Sequence, residues 1–530
     1  MTKVPSVIHW FRLDLRIHDN LALRNAINEV SLPELYFIEP DIKNKVGVNR
    51  LRFLVQSLQD LDVNLKKLNT RLYIIKGNAV DELPKLFDKW QVKYLTCQVD
   101  IDPIYVQQDE VIDDIAEKKD IFIVRRVQHT VYDVHSVLKK NNNSVPMTYQ
   151  KFLSLVQDVQ VKECIEITKE ISDHCKPSDG DSKKYDVPIL DELELDESAL
   201  EPLKYPGGET EGLRRLNVYM ARREWVCKFE KPNSSPNSLE PSTTVLSPYI
   251  SHGCLSAKLF YHKLKEALSG KKHSEPPVSL LGQLMWREFY YTAGAGTENF
   301  DKMVGNAVCT QIPWGTNEEH LKSWAEGRTG YPFVDAIMRQ LKQEGWIHHL
   351  ARHMVACFLT RGDLWVSWEQ GAKVFEDYLL DYDWSLNAGN WMWLSASAFF
   401  YKFFRVYSPV AFGKKTDKEG LYIRKYVPEL KKYPTAFIYE PWKAPKSVQT
   451  TAGCIIGQDY PKRIVDHDKV HKDNLQKMSA AYKLNKERKA LKRPLYSRWS
   501  LRAGSREQLQ PRLEKNRKFK ITLRHYNICA

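Results

Sequence analysis

The first 130 residues alternate two periodicities, and that alternation restricts the fold more than any other feature. SVIHWF, ELYFIEP, RLYIIKG, YLTCQV and IFIVRRV are short runs rich in β-branched and aromatic residues. Between them apolar residues recur at helical spacing, as in LRFLVQSLQDLDVNLKKL over residues 51–68. Strands separated by helices pair in parallel through crossovers, with helices covering the sheet. The expected fold class over residues 1–130 is therefore an α/β domain built on a doubly wound parallel sheet. No GxGxxG follows the first strand, so the dinucleotide fingerprint is absent and nothing local places a nucleotide there.

The pattern changes twice more. Residues 131–207 include NNNS (141–144) and the acidic run DELELDESALEP (191–202), both poorly periodic. They read as an extended interdomain connector with short helices. Residues 208–482 are dominated by helical spacing with short Gly/Pro-marked turns, which predicts a C-terminal all-α domain. Residues 483–530 form a basic tail: fifteen Lys/Arg against three Glu, so +12 of the net +13 charge resides there. Any nucleic-acid contact on the body must then be a local patch. The run Lys486–Arg493 suits a nuclear import signal, a DNA-attracting arm or a solvated tail. No apolar run approaches the ~20 residues of a membrane helix. Arg12, Asp14 and Arg16 argue against a secretory signal. The nine cysteines are scattered without a CxxC pair, as expected of reduced thiols.

Chemistry concentrates between Trp346 and Trp393, in WIHHLARH, RGDLWVSW and DYDWSLNAGNWMW. His349 and His353 are four apart and share a helix face, with Arg352 close to it. That spacing serves a core helix and a proton-transfer site equally well. It is not a zinc helix, because Leu350 stands where HExxH needs glutamate; no metal is expected. Nine of the fourteen tryptophans fall between Trp286 and Trp393. They suit either core or a chain of oxidisable rings, and Trp365 and Trp368 are expected as neighbours on one helix. Asp381 and Asp383 need partners, and Arg352 is the natural one for Asp381. PSTTVLSP offers Thr243, Thr244 and Ser247 in a turn able to cradle phosphate or simply to cap a helix. In WREFYYT, Trp286, Arg287 and Tyr290 lie on one helix, with Gln283 a turn earlier.

Four long motifs in order, TTVLSPYISHGCLS, GQLMWREFYYT, WIHHLARH and DYDWSLNAGNWMW, resemble the photolyase/cryptochrome flavoproteins. Within that family the resemblance is to the animal branch, and most to insect DNA (6-4) photolyases. It implies that the helical domain binds FAD, active in its reduced form. The α/β domain becomes the antenna-type domain, which in some members holds a second, light-harvesting chromophore of a kind the sequence does not identify. The resemblance assigns cofactor binding to Lys231, Thr243, Thr244, Val245, Leu246, Ser247, Gln283, Arg287, His349, Arg352, Asp381, Asp383 and Asn387. It places Gln283, Trp286, Arg405, Tyr407 and Lys414 against DNA. It makes Trp391, Trp368, Trp314 and Trp365 the chain that reduces oxidised flavin.

The function so implied is a lyase: light-driven repair of (6-4) photoproducts in UV-damaged DNA. His349 would be the principal acid, as an imidazolium, and His353 would share its proton. The protein is expected to be a nuclear monomer. The alternative is a vertebrate-type cryptochrome that represses transcription in the circadian clock and binds clock proteins. Asn387 and both histidines occur in both branches.

Overall fold

In a computed structural model, the structure describes residues 6–29, 34–38, 42, 46–166, 182–195 and 202–491. Parts of the acidic run and of the basic run Lys486–Arg493, and the tail beyond 491, lie outside the described residues. The chain divides into compact units at Met1–Tyr482 and Lys483–Ala530. Of the second, residues 483–491 are described, and they are helical.

Five strands form one parallel sheet: β1 (Ser6–Trp10), β2 (Glu34–Ile38), β3 (Leu72–Lys76), β4 (Val92–Gln98) and β5 (Phe122–Arg126). Their order is β3-β2-β1-β4-β5, and all four pairings are parallel. Helices α1 (Leu21–Glu29), α2 (Val48–Lys66), α3 (Ala79–Lys89) and α4 (Pro103–Lys118) connect them. Strand order reverses at β1, the switch point of a doubly wound fold. The two edges differ: β3 is buried over Leu72–Ile75, whereas β5 is only partly buried.

The C-terminal part is helical. The helices that matter below are α5 (Leu280–Ala295), α6 (Pro332–Glu344), α7 (His349–Cys357), α8 (Trp368–Tyr378), α9 (Trp384–Leu394) and α10 (His467–Leu491). Gly345 ends α6 at φ 70°, a left-handed C-cap that suits glycine. The turn it permits lets His348 cap α7, its Nδ1 accepting from the Leu350 amide at 3.0 Å.

A carboxylate clasps the two parts of this unit. Glu209 is buried at the start of helix Glu209–Ala221. It accepts the amides of Ile17 and His18, each at 2.9 Å, and lies 2.5 Å from His18 Nδ1. Burial disfavours its charge, but these donors outweigh that and hold its carboxyl below the usual range. Glu209→Ala should leave buried amides unpaired and cost about 2–4 kcal/mol. An unchanged urea midpoint would refute the clasp.

Candidate functional site

The sequence-predicted residues converge on α5, α7, α9 and the turn before helix Ser247–Ser251. His349 and His353 share one face of α7, their ring centroids 4.1 Å apart at 62°. Arg352, from the same helix, donates to Asp381 Oδ2 at 2.7 Å. The other Asp381 oxygen is buried without a partner, as is His349 Nε2. Asp383 caps α9 by accepting from the Leu386 amide at 2.9 Å. Asn387 lies one turn into α9, and its amide nitrogen donates to Ala372 O at 2.9 Å. That commitment leaves its carbonyl oxygen as the free polar group.

Cations crowd this recess. Lys231 forms no ion pair with a described residue. Burial, aided by the charge of Arg352, pulls its ammonium down to about 7. His348 is lowered to about 4 by burial, then by Arg352 and Lys231. His349 and His353 are pushed well below the ordinary range, first by burial and then by Lys231. Both residues are half-buried although burial dominates their titration, the combination expected of residues lining a recess. Desolvation and a neighbouring cation both work against the imidazolium expected at His349. His353 Nδ1 lies 3.1 Å from the Tyr407 hydroxyl.

The turn over residues 241–246 presents Thr243 and Thr244 with Val245 at φ 49°. Leu246 and Val245 are buried, and Ser247 is exposed. Trp346 Nε1 donates to Ser247 Oγ at 3.4 Å, and Tyr219 donates to Thr243 O at 3.0 Å. On α5, Gln283 is partly exposed and bonds to Pro277 O at 3.2 Å. Trp286 stacks on Tyr149 at 4.3 Å and meets Trp393 edge-on at 5.2 Å. Arg287 is buried; it pairs with Glu288 at 2.9 Å, and its NH2 nitrogen has no partner. Arg405, Lys414 and Lys415 are exposed.

Asp383 belongs to a network that sequence reasoning missed. Its other oxygen accepts from Tyr291 OH, and that hydroxyl lies 2.8 Å from His129 Nε2. Burial opposes its charge, yet His129, Arg287 and Tyr291 together hold its carboxyl below the usual range. Nothing in the local sequence marks His129, a histidine just after β5 at the end of the α/β domain.

The tryptophans divide into two groups. Trp391 and Trp368 are buried, and their indole nitrogens lack partners. Trp391 packs edge-on against Trp324 at 6.1 Å and Phe375 at 4.9 Å. Trp314 and Trp365 are half-buried and face each other at 4.8 Å. The expectation that Trp365 and Trp368 share a helix is corrected. Trp365 stands before α8 at φ 56°, its Nε1 bonded to Pro313 O at 3.0 Å, whereas Trp368 opens that helix. Trp324 was not singled out in the sequence beyond its place in the tryptophan-rich span.

Removing Arg352 would strand the Asp381 carboxylate, whose side chain is 5% exposed. Arg352→Ala should cost about 3–5 kcal/mol. Asp381→Asn in the same background should recover part of that loss. Strict additivity in the double-mutant cycle would show that the pair does not couple.

Residues 280–480 match the FAD binding domain of DNA photolyase, and residues 7–168 match DNA photolyase. Cryptochrome-1 of Gallus gallus is 49% identical over 485 residues, 90% of this chain and 78% of that protein. Cryptochrome-2 of Gallus gallus is 47% identical over 483 residues, 90% of this chain and 83% of that one. A solved cryptochrome from Synechocystis superposes with a TM-score of 0.79 at 25% identity, covering 90% of this chain and 100% of that chain. These relatives overturn the expected DNA (6-4) photolyase: both are cryptochromes matched over 90% of this chain, and a repair lyase is not supported. The motifs and the fold nevertheless identify the lineage, and the chain belongs to the photolyase/cryptochrome family.

Proposed function

We propose that this chain is a vertebrate-type cryptochrome that acts by binding, as a repressor of transcription in the circadian clock. The observation that carries this reading is the 49% identity with a cryptochrome across 485 residues. The reading puts the protein in the nucleus, as a monomer that meets clock proteins.

Bound in the recess, FAD would supply blue-light absorption and one-electron redox chemistry. The residues fit such a ligand. Lys231 is a half-buried cation in want of an anion, and with the 241–247 turn it would take the diphosphate. Arg352 and Asp381 would flank the ring, and Asn387 would offer it a carbonyl oxygen. Gln283, Arg287 and Asp383 would complete the cradle. Trp391, Trp368, Trp314 and Trp365 are this chain's oxidisable side chains near it.

In cells carrying a luciferase reporter driven by clock activators, expression of the chain should lower the signal. An unchanged signal, with flavin-loaded protein present in the nucleus, would sink the proposal. The purified, flavin-loaded protein should leave a (6-4) adduct unrepaired under blue light, and restored strands would count against it.

Lys231 provides a second test, of the cradle alone. Its ammonium is pulled to about 7 without flavin. A bound diphosphate would restore the proton, so FAD binding takes up a proton above that pH. FAD affinity should be highest in mildly acidic buffer and decline as pH rises through neutrality. Fluorescence titrations should show that Lys231→Met weakens binding and flattens this dependence; an unaltered profile would remove Lys231 from the diphosphate site.

A further inference from the structure

Three buried side chains run from the end of the α/β domain to the N-terminus of α9, and their hydrogens do not balance in the ordinary protonation states. His129, Tyr291 and Asp383 are each 6% exposed. His129 Nδ1 lies 2.9 Å from Leu13 O, a carbonyl that only accepts, so Nδ1 carries a hydrogen. His129 Nε2 lies 2.8 Å from the Tyr291 hydroxyl, which also meets Asp383 Oδ2. That hydroxyl has one hydrogen to give. Given to an ionised Asp383, it leaves oxygen and a neutral Nε2 facing each other lone pair to lone pair. Given to Nε2, it leaves the same conflict with the carboxylate. One further hydrogen is needed.

Burial, then the charge of Asp383, pushes the Tyr291 phenol well up, so it keeps its own hydrogen. Two arrangements then satisfy every contact. In the first, an imidazolium at His129 donates to Tyr291, and Tyr291 donates to an ionised Asp383. In the second, a neutral His129 accepts from Tyr291, and Tyr291 accepts from a protonated Asp383. Both hold the same number of hydrogens. They differ by one concerted shift: Nε2–H breaks as O–H forms at Tyr291, while the original O–H of Tyr291 breaks as O–H forms at Asp383. No electron moves. Tyr291 is needed for the shift, because Nε2 and Asp383 Oδ2 are 4.0 Å apart, too far for a direct hydrogen bond. The first arrangement is the resting one. Burial opposes the charge of Asp383, but His129 and Arg287 hold its carboxyl below the usual range. The charged and titratable neighbours are Asp14 beside Gln128, Asp100 and Asp102 after β4, Arg287 and Glu288 on α5, and His252.

We propose that His129, Tyr291 and Asp383 store one proton beside the recess and relay it to Asp383 when the recess gains negative charge. Asp383 caps α9 four residues before Asn387, so it is the end of the relay that the recess feels. Added negative charge there favours the second arrangement, which neutralises the carboxylate without drawing a proton from water. His129 and Tyr291 are thus positioning residues for the charge of Asp383. The inference rests on the flavin cradle proposed above, since FAD supplies one-electron chemistry when bound; it is independent of repression.

Magnetic resonance of the full-length protein, with isotope-labelled histidine rings and aspartate carboxyls, reads both ends. His129→Gln and Asp383→Asn assign the signals. With flavin bound and oxidised, His129 should show two protonated ring nitrogens and Asp383 an ionised carboxyl. Reduction with dithionite should turn His129 neutral and protonate Asp383. In Tyr291→Phe, which keeps the ring and removes the connecting oxygen, reduction should leave the imidazolium unmoved. A neutral His129 beside an ionised Asp383 in the oxidised protein would overturn the stored proton. An imidazolium that survives reduction in the parent protein would overturn the relay, with no variant required to fold. Protein that carries no flavin absorbance would overturn the cradle and the transfer together, whereas the stored proton is read in that protein too.

Discussion

Buried carboxylates that accept backbone amides tie the helical part of the chain to its sheet. Glu209 takes the amides of residues 17 and 18, and Glu288 takes those of Val131 and Tyr132 at 2.8 and 3.2 Å. Asp19 adds Lys258 at 2.8 Å. A carboxylate out of water is costly unless its lone pairs are filled. Each such group therefore admits very few relative placements of the segments it joins. The recess inherits its precision from these contacts, because α5 carries both Glu288 and the residues that face the cofactor region.

Electrostatics in the recess follow from the same economy. Lys231, Arg352 and three histidines stand together with Asp381 paired to Arg352. Desolvation and the neighbouring cations disfavour charge on the imidazoles, and one carboxylate, Asp381, pairs with Arg352. What remains is a cationic lining that asks for an anion. That demand, more than any single hydrogen bond, makes a dinucleotide with a diphosphate the fitting occupant. The buried network of His129, Tyr291 and Asp383 then anchors the N-terminus of α9, and through it the placement of Asn387.

Much of this was legible before any coordinates. The five β-rich runs became the five strands, because parallel strands covered on both faces must be apolar throughout. The 51–68 segment became α2, and Gly345 stopped a helix where a left-handed residue was needed. The Arg352–Asp381 pair followed from a buried-looking acid and a cation on a helix. Trp365 escaped because its spacing from Trp368 mimics a helical turn, whereas its backbone takes a positive φ before α8 begins. His129 escaped because its partners, Leu13, Tyr291 and Asp383, lie more than a hundred residues away. The branch of the family escaped for a different reason. Asn387, His349 and His353 serve repair enzymes and cryptochromes alike, so the decision had to come from identity spread over the whole chain.

Residue order by itself determined the alternation of strands and helices, the family and the set of side chains that meet at the recess, because periodicity and motif are local properties of the chain. Tertiary structure alone decided in which direction the titration of the histidines and Lys231 is pushed, and which tryptophans touch. Both depend on desolvation and on contacts between distant segments, and neither quantity is written in the spacing of residues along one helix.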